Sequence, residues 1–514
     1  MTVVSRIFAS LLAAAACLLC SRRLAHLYQL ESYQLAGYFR SVRRGLPRIL
    51  IPGFICALAG LLPFLFGAAP VLCALCSAVA GAAVWYTEGK KKQKKPFVVT
   101  ERVRRFYAIH ALLALLLALL LSGSFAFLLL PAFECLILAL SACLAKPLEA
   151  YIANQFVKDA KRRLDEMPNL IRIGITGSYG KTSTKFLLRD ILSVRWNVLA
   201  TPGSFNTTMG VTRVIREMLT PTHEVFIAEM GARHPGDIRE LVNLVRPSVG
   251  ILTSIGPQHL DTFGSVETIA KTKNELIEGL PENGTAIFAR DGAYCEKLFN
   301  ACGLQNKILA GERIAAEEVE VGPWGTRFLL SDRETGESIR CETRLLGRHT
   351  VENLLLCAAA ARQLGLSMDE IERGIARCQP VEHRLQLLPA IGGITIIDDA
   401  FNSNPAGAKA AIDVLSHFPE RRVVVTPGMV ELGAEEAKYN REFGKQMAEA
   451  CDLVILVGER HTLPIAEGLK EAGFPEEKVC TVASFAEAQE RMKDLLKAGD
   501  TVLYENDLPD NYEG

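Results

Sequence analysis

Aspartate is absent from the first 150 residues of this 514-residue chain. That stretch holds 10 Arg and 6 Lys against five Glu, a surplus of 11 positive charges, while the other 364 residues hold 41 basic and 52 acidic groups. The formal net charge of zero is therefore the sum of two opposite halves, and such asymmetry marks a membrane or nucleic-acid contact. Residues 49–87 lack Asp, Glu, Lys and Arg altogether. Those 39 residues are too many for one span of about 20 and suit two. Of the 14 cysteines, the seven of the second half are scattered without metal-type spacing. In the first half Cys73 and Cys76 form a CxxC, but it lies in an uncharged apolar run. A metal or redox centre is excluded there, and free thiols in a reducing compartment are the reading.

The hairpin 49–87 has its natural turn at Gly67-Ala68-Ala69-Pro70, and a second apolar run over 106–145 is split by Ser122-Gly123-Ser124. With residues 7–21, which read as a span rather than a cleaved signal peptide, five transmembrane helices are predicted. The segments between them are basic. Arg22, Arg23, Arg40, Arg43, Arg44 and Arg48 face one Glu, and five Lys with Arg102, Arg104 and Arg105 face two. Basic loops stay on the cytoplasmic side. The expectation is a multi-pass cell-membrane protein whose part beyond residue 146 is cytoplasmic, with no nucleic-acid partner. Tyr28, Tyr33, Tyr38 and Phe39 interleave with arginine and suggest an amphipathic helix on the inner membrane surface. Glu134, the one acid inside the second run, is read as lying near the turn, at the interface.

From residue 170 short β-branched runs alternate with helical periodicity. Strands are expected at Ile171–Thr176, Val225–Glu229, Val249–Ser254, Thr285–Ala289, Ile394–Asp398, Arg422–Thr426, Leu453–Val457 and Thr501–Tyr504. That alternation predicts a parallel α/β sheet. The first strand runs into Thr176-Gly177-Ser178-Tyr179-Gly180-Lys181-Thr182-Ser183, a shortened phosphate loop. Its glycines let backbone N–H groups close on phosphate oxygens. Lys181 can reach the β/γ-phosphates, Thr182 can ligate Mg²⁺, and the following helix turns its positive end to the anion.

Further motifs follow: PGSFNTTMG at 202–210, EMGARHPGDIREL at 229–241, GPQHLDTFGS at 256–265, KTKNELIEGLP at 271–281, GRHTVENLLLCAAA at 347–360, HRLQ at 383–386, IDDAFNSNP at 397–405 and ELG at 431–433. In this order, over about residues 168–505, the chain resembles the Mur ligase family, most closely the MurF type. The resemblance implies an α-helical membrane region (1–150) followed by α/β: a P-loop-type central ATP-binding ligase domain (151–380) and a Rossmann-like C-terminal domain (381–514). It implies an ATP-dependent carboxylate–amine ligase of peptidoglycan precursor synthesis that works through an acyl phosphate. ATP and Mg²⁺ are the expected cofactors. A peptide-type carboxylate precursor and an amino-acid or dipeptide amine are the expected substrates.

The resemblance also assigns residues. Gly177, Ser178, Gly180, Lys181, Thr182 and Ser183 hold the nucleotide. Thr182, Glu229, His259 and Lys273 hold the metal, Lys273 as the lysine that many members carbamylate; Lys271 lies too far round the same helix to share its face. Lys181, Lys273 and His259 are the catalytic set. Arg348, His349 and Asn353 open a nucleotide-contacting helix, with Asn353 near adenine. Arg384 reaches phosphate, Asp399 and Asn402 complete the cofactor-binding set in the same cleft, and Asn404 beside them could equally cap a helix.

The chain departs from the family in two places. Only 29 residues, 147–175, separate Lys146 from the phosphate loop, too few for the domain that grips UDP in members with soluble precursors. The carboxylate substrate is therefore expected to be membrane-linked. Where MurF members have a Lys-Gly-Ser segment after the last strand, this chain has Glu505-Asn506-Asp507. The competing reading is a membrane ATPase or transport protein that uses a Mur-like nucleotide-binding motor.

Overall fold

The computed structural model describes residues 2–31, 33–90, 96–258, 260–401, 403–430 and 432–507. The chain divides into two compact units, with the break after Gln155, inside a helix.

The first unit is helical: α1 (Val3–Cys20), α2 (Arg22–Leu30), α3 (Leu35–Arg44), α4 (Leu46–Leu65), α5 (Pro70–Lys90), α6 (Glu101–Leu121) and α7 (Glu134–Asp165). Four of these, together with the run Phe125–Asp165, are long and apolar enough to cross a membrane. The turn between α4 and α5 falls at the expected glycine: Gly67 takes φ +79°, a conformation open to it because it lacks a Cβ. The helices touch through small residues. A Cβ on Gly53 of α4 would lie 2.1 Å from the Pro131 carbonyl oxygen, and α1 meets α5 where Gly81 sits on Ala16 and Leu19. Such close approach is how helices associate where apolar burial alone gives no drive. The outer faces stay apolar. Leu112, Leu116 and Leu120 of α6 are 70%, 52% and 71% exposed, and Leu136, Leu140 and Leu144 repeat the four-residue spacing on α7.

Two expectations need correction here. The arginine- and tyrosine-bearing segment is two helices rather than one, and of its rings Tyr28 and Tyr38 turn inward while Phe39 stays exposed. Tyr28 and Tyr38 are buried, with ring centroids 6.0 Å apart, and the Tyr38 hydroxyl donates to the Cys135 carbonyl at 3.0 Å. Glu134 is not at an interface. Residues Phe125–Phe133 coil as a 3₁₀ helix packed on α1, α4 and α6, and this carries Glu134 into the bundle. It is 2% exposed, its Oε1 lies 2.7 Å from His110 Nε2, and Ser141 Oγ contacts the other ring nitrogen at 2.9 Å. A carboxylate in an apolar bundle is tolerable only when so paired.

The second unit is α/β, as expected. Six parallel strands, β1 (Ile171–Thr176), β2 (Val198–Ala200), β3 (Val225–Glu229), β4 (Val249–Leu252), β5 (Thr285–Phe288) and β6 (Asn306–Leu309), lie in the order β2-β3-β1-β4-β5-β6. Alternate residues feed two cores: Ile173, Ile175, Val225 and Ile227 face one side, Phe226 and Ala228 the other. Burial of both faces is why these strands read as near-continuous apolar runs. An antiparallel meander follows, β7 (Ile314–Gly322), β8 (Gly325–Asp332) and β9 (Glu337–Thr343). The third sheet runs β10-β11-β15-β12-β13-β14, from β10 (Gln386–Ile391), β11 (Ile394–Asp399), β12 (Arg422–Thr426), β13 (Leu453–Val457), β14 (Val479–Val482) and β15 (Thr501–Glu505). Only β10 pairs antiparallel in that sheet.

Candidate active site

The C-terminal ends of β1, β3 and β4 converge on the phosphate loop, the edge at which open parallel sheets place ligands. Gly177 takes φ +152° and lies so close to Thr253 that a Cβ would stand 2.1 Å from its Oγ1. Gly180 takes φ +79° immediately before helix α8 (Lys181–Leu192), and a Cβ there would meet Asn353 Oδ1 at 2.7 Å. The loop is braced from β4: Ser178 N donates to the Ser254 carbonyl at 2.7 Å and Tyr179 N to Ser254 Oγ at 3.0 Å. Lys181 Nζ folds back over the loop, donating to the Gly177 carbonyl at 2.6 Å and the Ser178 carbonyl at 2.9 Å. Burial pulls its ammonium down to about 8, Glu229 opposes that, and Arg384 adds to it.

Glu229 ends β3, fully buried. Its Oε2 accepts from Thr182 Oγ1 at 3.0 Å and from Lys185 Nζ at 2.9 Å, and its Oε1 accepts from Asn206 Nδ2 at 3.0 Å. Burial raises this carboxyl, but Lys185 and then Lys181 outweigh it and hold it below the usual range. A hydroxyl and an ionised carboxylate sharing one hydrogen bond beside a phosphate loop are hard oxygen donors. They suit Mg²⁺, which binds through one or two carboxylates together with substrate phosphates. Among the described residues no three His, Cys, Asp or Glu side chains converge to cage a metal.

Lys273 lies on the helix Val266–Glu278, 2% exposed, while Lys271 is open to solvent. Burial lowers the Lys273 ammonium well below its ordinary value, and Lys181 adds to the effect against Asp237 and Glu229. Carbamylation consumes an uncharged amine, and the lowered ammonium favours that form. His259 and Asn402 lie outside the described residues.

A cavity of about 430 Å³ opens beside the loop. Tyr179, Gly180, Ser183, His349 and Asn353 line it on one side and Arg384, Asp399, Ser403, Asn404 and Glu505 on the other. Asn353 accepts from Thr184 Oγ1 at 3.1 Å, at the head of α8. His349 is pulled down to about 4 by burial and is neutral at pH 7. Arg384 sits between two residues in the left-handed region, His383 (φ 57°) and Leu385 (φ 44°), with its guanidinium 4.6 Å from the centre of the Phe401 ring. Asp399 Oδ1 accepts from Leu385 N at 3.1 Å.

One expectation changes, and one alternative is resolved. Arg348 is exposed and donates to the Val319 carbonyl on the meander at 3.3 Å, outside the cavity lining. Asn404 caps the helix Pro405–Ser416, its side-chain oxygen accepting from Gly407 N at 2.9 Å. Three residues were missed. Lys185 follows Lys181 by four positions, one helical turn, so spacing alone could have found it. Asn206 and Glu505 stood in quoted segments without a role.

Two family models match this chain: the Mur ligase middle domain over residues 175–361, and the Mur ligase glutamate ligase domain over 383–504. The chain is 32% identical over 357 residues to the UDP-N-acetylmuramoyl-tripeptide–D-alanyl-D-alanine ligase of Escherichia coli (strain K12), covering 67% of this chain and 78% of that one. It is 30% identical to the enzyme of the same description from Bacillus subtilis (strain 168), with coverage of 67% and 74%. Among solved structures it resembles MurF from Acinetobacter baumannii, with a TM-score of 0.63 and 27% identity over 69% of this chain and 77% of that one. It also resembles MurF ligase from Thermotoga maritima in complex with ADP, with a TM-score of 0.61 and 25% identity over 69% and 80%. The transport reading finds no support among these relatives.

Proposed function

We propose, from the premise that the chain belongs to the Mur ligase family and is an ATP-dependent ligase of the MurF type, that it adds an amine such as D-alanyl-D-alanine to a membrane-linked peptidoglycan precursor. The substrate carboxylate attacks the γ-phosphate, giving an acyl phosphate and ADP. The amine then attacks the acyl carbon, the C–O bond to phosphate breaks, and an amide and inorganic phosphate leave. Such phosphoryl transfer needs positioning and charge neutralisation more than covalent chemistry. The loop N–H groups and the N-terminus of α8 hold the phosphates. Lys181 leaves its own loop carbonyls for the β/γ-phosphates. Thr182 and Glu229 would hold Mg²⁺, which would supply neutralisation of the charge that develops on the transferring group. Arg384 brings a further cation to the cavity.

The observation that carries the ligase reading is the convergence of Lys181, Thr182 and Glu229 at one sheet edge, beside a cavity lined by both the loop and the third sheet. Membrane embedding rests on the first unit. Apolar side chains cover its outer faces at helical spacing, and a monomer in water rarely exposes so much apolar surface. Basic segments 22–48 and 88–105 flank its spans and suit an anionic inner leaflet. That unit occupies the place of a UDP-gripping domain, so the precursor is read as lipid-carried.

The test is ADP release by the full chain in detergent or vesicles, with products identified by mass. ADP should form one-for-one with the new amide and only when both carboxylate and amine are present. ATP turnover unaffected by either would contradict the proposal.

A further inference from the structure

The two basic segments of the helical unit are built from different residues. Residues 22–48 carry six Arg and no Lys, whereas 88–105 carry five Lys with three Arg. Holding a loop on the inner side of a membrane needs positive charge and does not distinguish the two. What arginine adds is a planar fork that grips a phosphate through two parallel hydrogen bonds. The ion pairing differs as well. Among the described residues Arg102, Arg104 and Arg105 pair with Glu149 or Glu101, and Arg22, Arg23, Arg40, Arg43 and Arg48 pair with no carboxylate. Glu31, the one acid of residues 22–48, accepts a hydrogen bond from Ser41 Oγ.

These cations are held in place by folded structure. The Tyr28 ring centre lies 6.0 Å from that of Tyr38 and 5.6 Å from that of Phe106, which fastens α2 to α3 and α6. Gln29 pairs with the Val98 backbone, donating to its carbonyl at 2.9 Å and accepting from its N–H at 3.1 Å. Arg23 Nη1 donates to the Arg48 carbonyl at 3.1 Å, which brings its guanidinium to the first turn of α4. Arg22 lies 4.9 Å from the centre of the Trp85 ring and donates to the Trp85 carbonyl at 3.3 Å. Such neutral partners orient a guanidinium and leave its charge uncompensated. Trp is enriched at headgroup level in membranes, so the Trp85 contact suits a headgroup position for this end of α2. Fixed like charges repel, and a bridging anion removes that cost. Phe39 on α3 and Leu46 at the start of α4, 45% and 46% exposed, add apolar surface to the same two helices.

We propose that Arg22, Arg23 and Arg48 form a binding site for the diphosphate of a polyprenyl-carried lipid lying in the inner leaflet. This rests on the reading above of the acceptor as lipid-carried, and names the part of it that the helical unit holds. A diphosphate presents two adjacent charged phosphoryl groups and so takes two forks at once. A phosphodiester headgroup presents one, and diffuse attraction to it is supplied as well by the lysines of 88–105. The prenyl chain stays in the bilayer, where Phe39 and Leu46 suit its first carbons, and the sugar and peptide remain in water.

The test is binding of radiolabelled polyprenyl diphosphate to the full chain in phosphatidylcholine nanodiscs. The unaltered chain is compared with Arg48→Gln, Arg23→Gln with Arg48→Gln, Arg23→Lys with Arg48→Lys, and the paired Arg104→Gln. The Arg48 side chain is exposed, so its single replacement keeps the fold. Affinity is expected to fall about 10-fold in Arg48→Gln and about 10²-fold in the double glutamine variant. The double lysine variant keeps the charge and is still expected to lose about 5-fold, because the forks are gone. Arg104→Gln should bind as the unaltered chain does. Neither phosphatidylglycerol at equal mole fraction nor inorganic diphosphate at equal concentration should displace the lipid. Unchanged binding in both glutamine variants overturns the site. Displacement by phosphatidylglycerol reduces it to membrane charge, and displacement by inorganic diphosphate makes it a site for soluble phosphate; either overturns the proposal. Amide formation keeps the two readings apart. Arg48→Gln should lose kcat/KM with a lipid-linked acceptor and not with the UDP-linked one. Tight diphosphate binding with equal use of both acceptors leaves the site standing and removes the lipid-carried acceptor.

Discussion

Replacing Lys181 with alanine is expected to lower the rate of amide formation by at least about 10²–10³-fold while leaving the fold intact. The side chain is half-buried, and among the described residues its ammonium donates only to the Gly177 and Ser178 carbonyls and, at 3.5 Å, to Gln258 Oε1. Those carbonyls lie beside the cavity mouth and can turn to water, so its removal strands no charge. On the proposed mechanism, what is lost is a cation that would follow the β/γ-phosphates into the transition state, where charge spreads over the transferring oxygens. Methionine in its place should behave like alanine, and arginine should not restore the rate, because a planar fork does not fit where a compact ammonium turned between two carbonyls. Amide formation at saturating ATP, together with the urea midpoint of each variant, checks this. A Lys181→Ala protein with full ligation would remove the phosphate loop from the mechanism.

Glu229→Ala is expected to fail in two ways at once. The carboxylate is the acceptor for Thr182, Lys185 and Asn206, and the Lys185 ammonium has no side-chain exposure. Removing one partner of a buried pair leaves the other charge uncompensated, at about 3–5 kcal/mol. Lys185 keeps the Gly203 carbonyl at 2.6 Å, which offsets a little of that. Activity falls as well, since the oxygen offered to Mg²⁺ is gone. The double variant Glu229→Gln with Lys185→Met separates the effects: it removes both charges, should recover most of the stability in urea unfolding, and should stay inactive. Recovery of ligation in the double variant would show that Glu229 matters only as Lys185's counter-charge.

The parts of this molecule that were legible in the sequence are those whose physics is local. A run without charge announces a helix pair and its turn, as at Gly67. Apolar strands buried on both faces announce themselves as runs, as with β1 and β3. The meander did not, because Ile314–Gly322 and Glu337–Thr343 alternate short β-branched residues with glutamate and read as exposed chain until each edge finds its partner. Glu134 was misplaced because counting residues along an apolar run assumes α-helical rise, whereas a nine-residue 3₁₀ segment precedes it. At the site, loop glycines and Lys181 follow from a motif. The far side of the cavity depends on two strands about a hundred residues apart pairing at Asp399 and Glu505, which only the sheet order reveals.

The most direct test of the proposal that the acceptor is lipid-carried is a comparison of two acceptors that share one peptide. The full chain in lipid vesicles is given ATP, D-alanyl-D-alanine and either the UDP-linked or the polyprenyl-diphosphate-linked muramyl peptide, and kcat/KM is measured for each. Confinement to a shared bilayer raises effective concentration, so the lipid-linked acceptor should win by about 10²-fold. Equal or better use of the UDP-linked form would contradict the account.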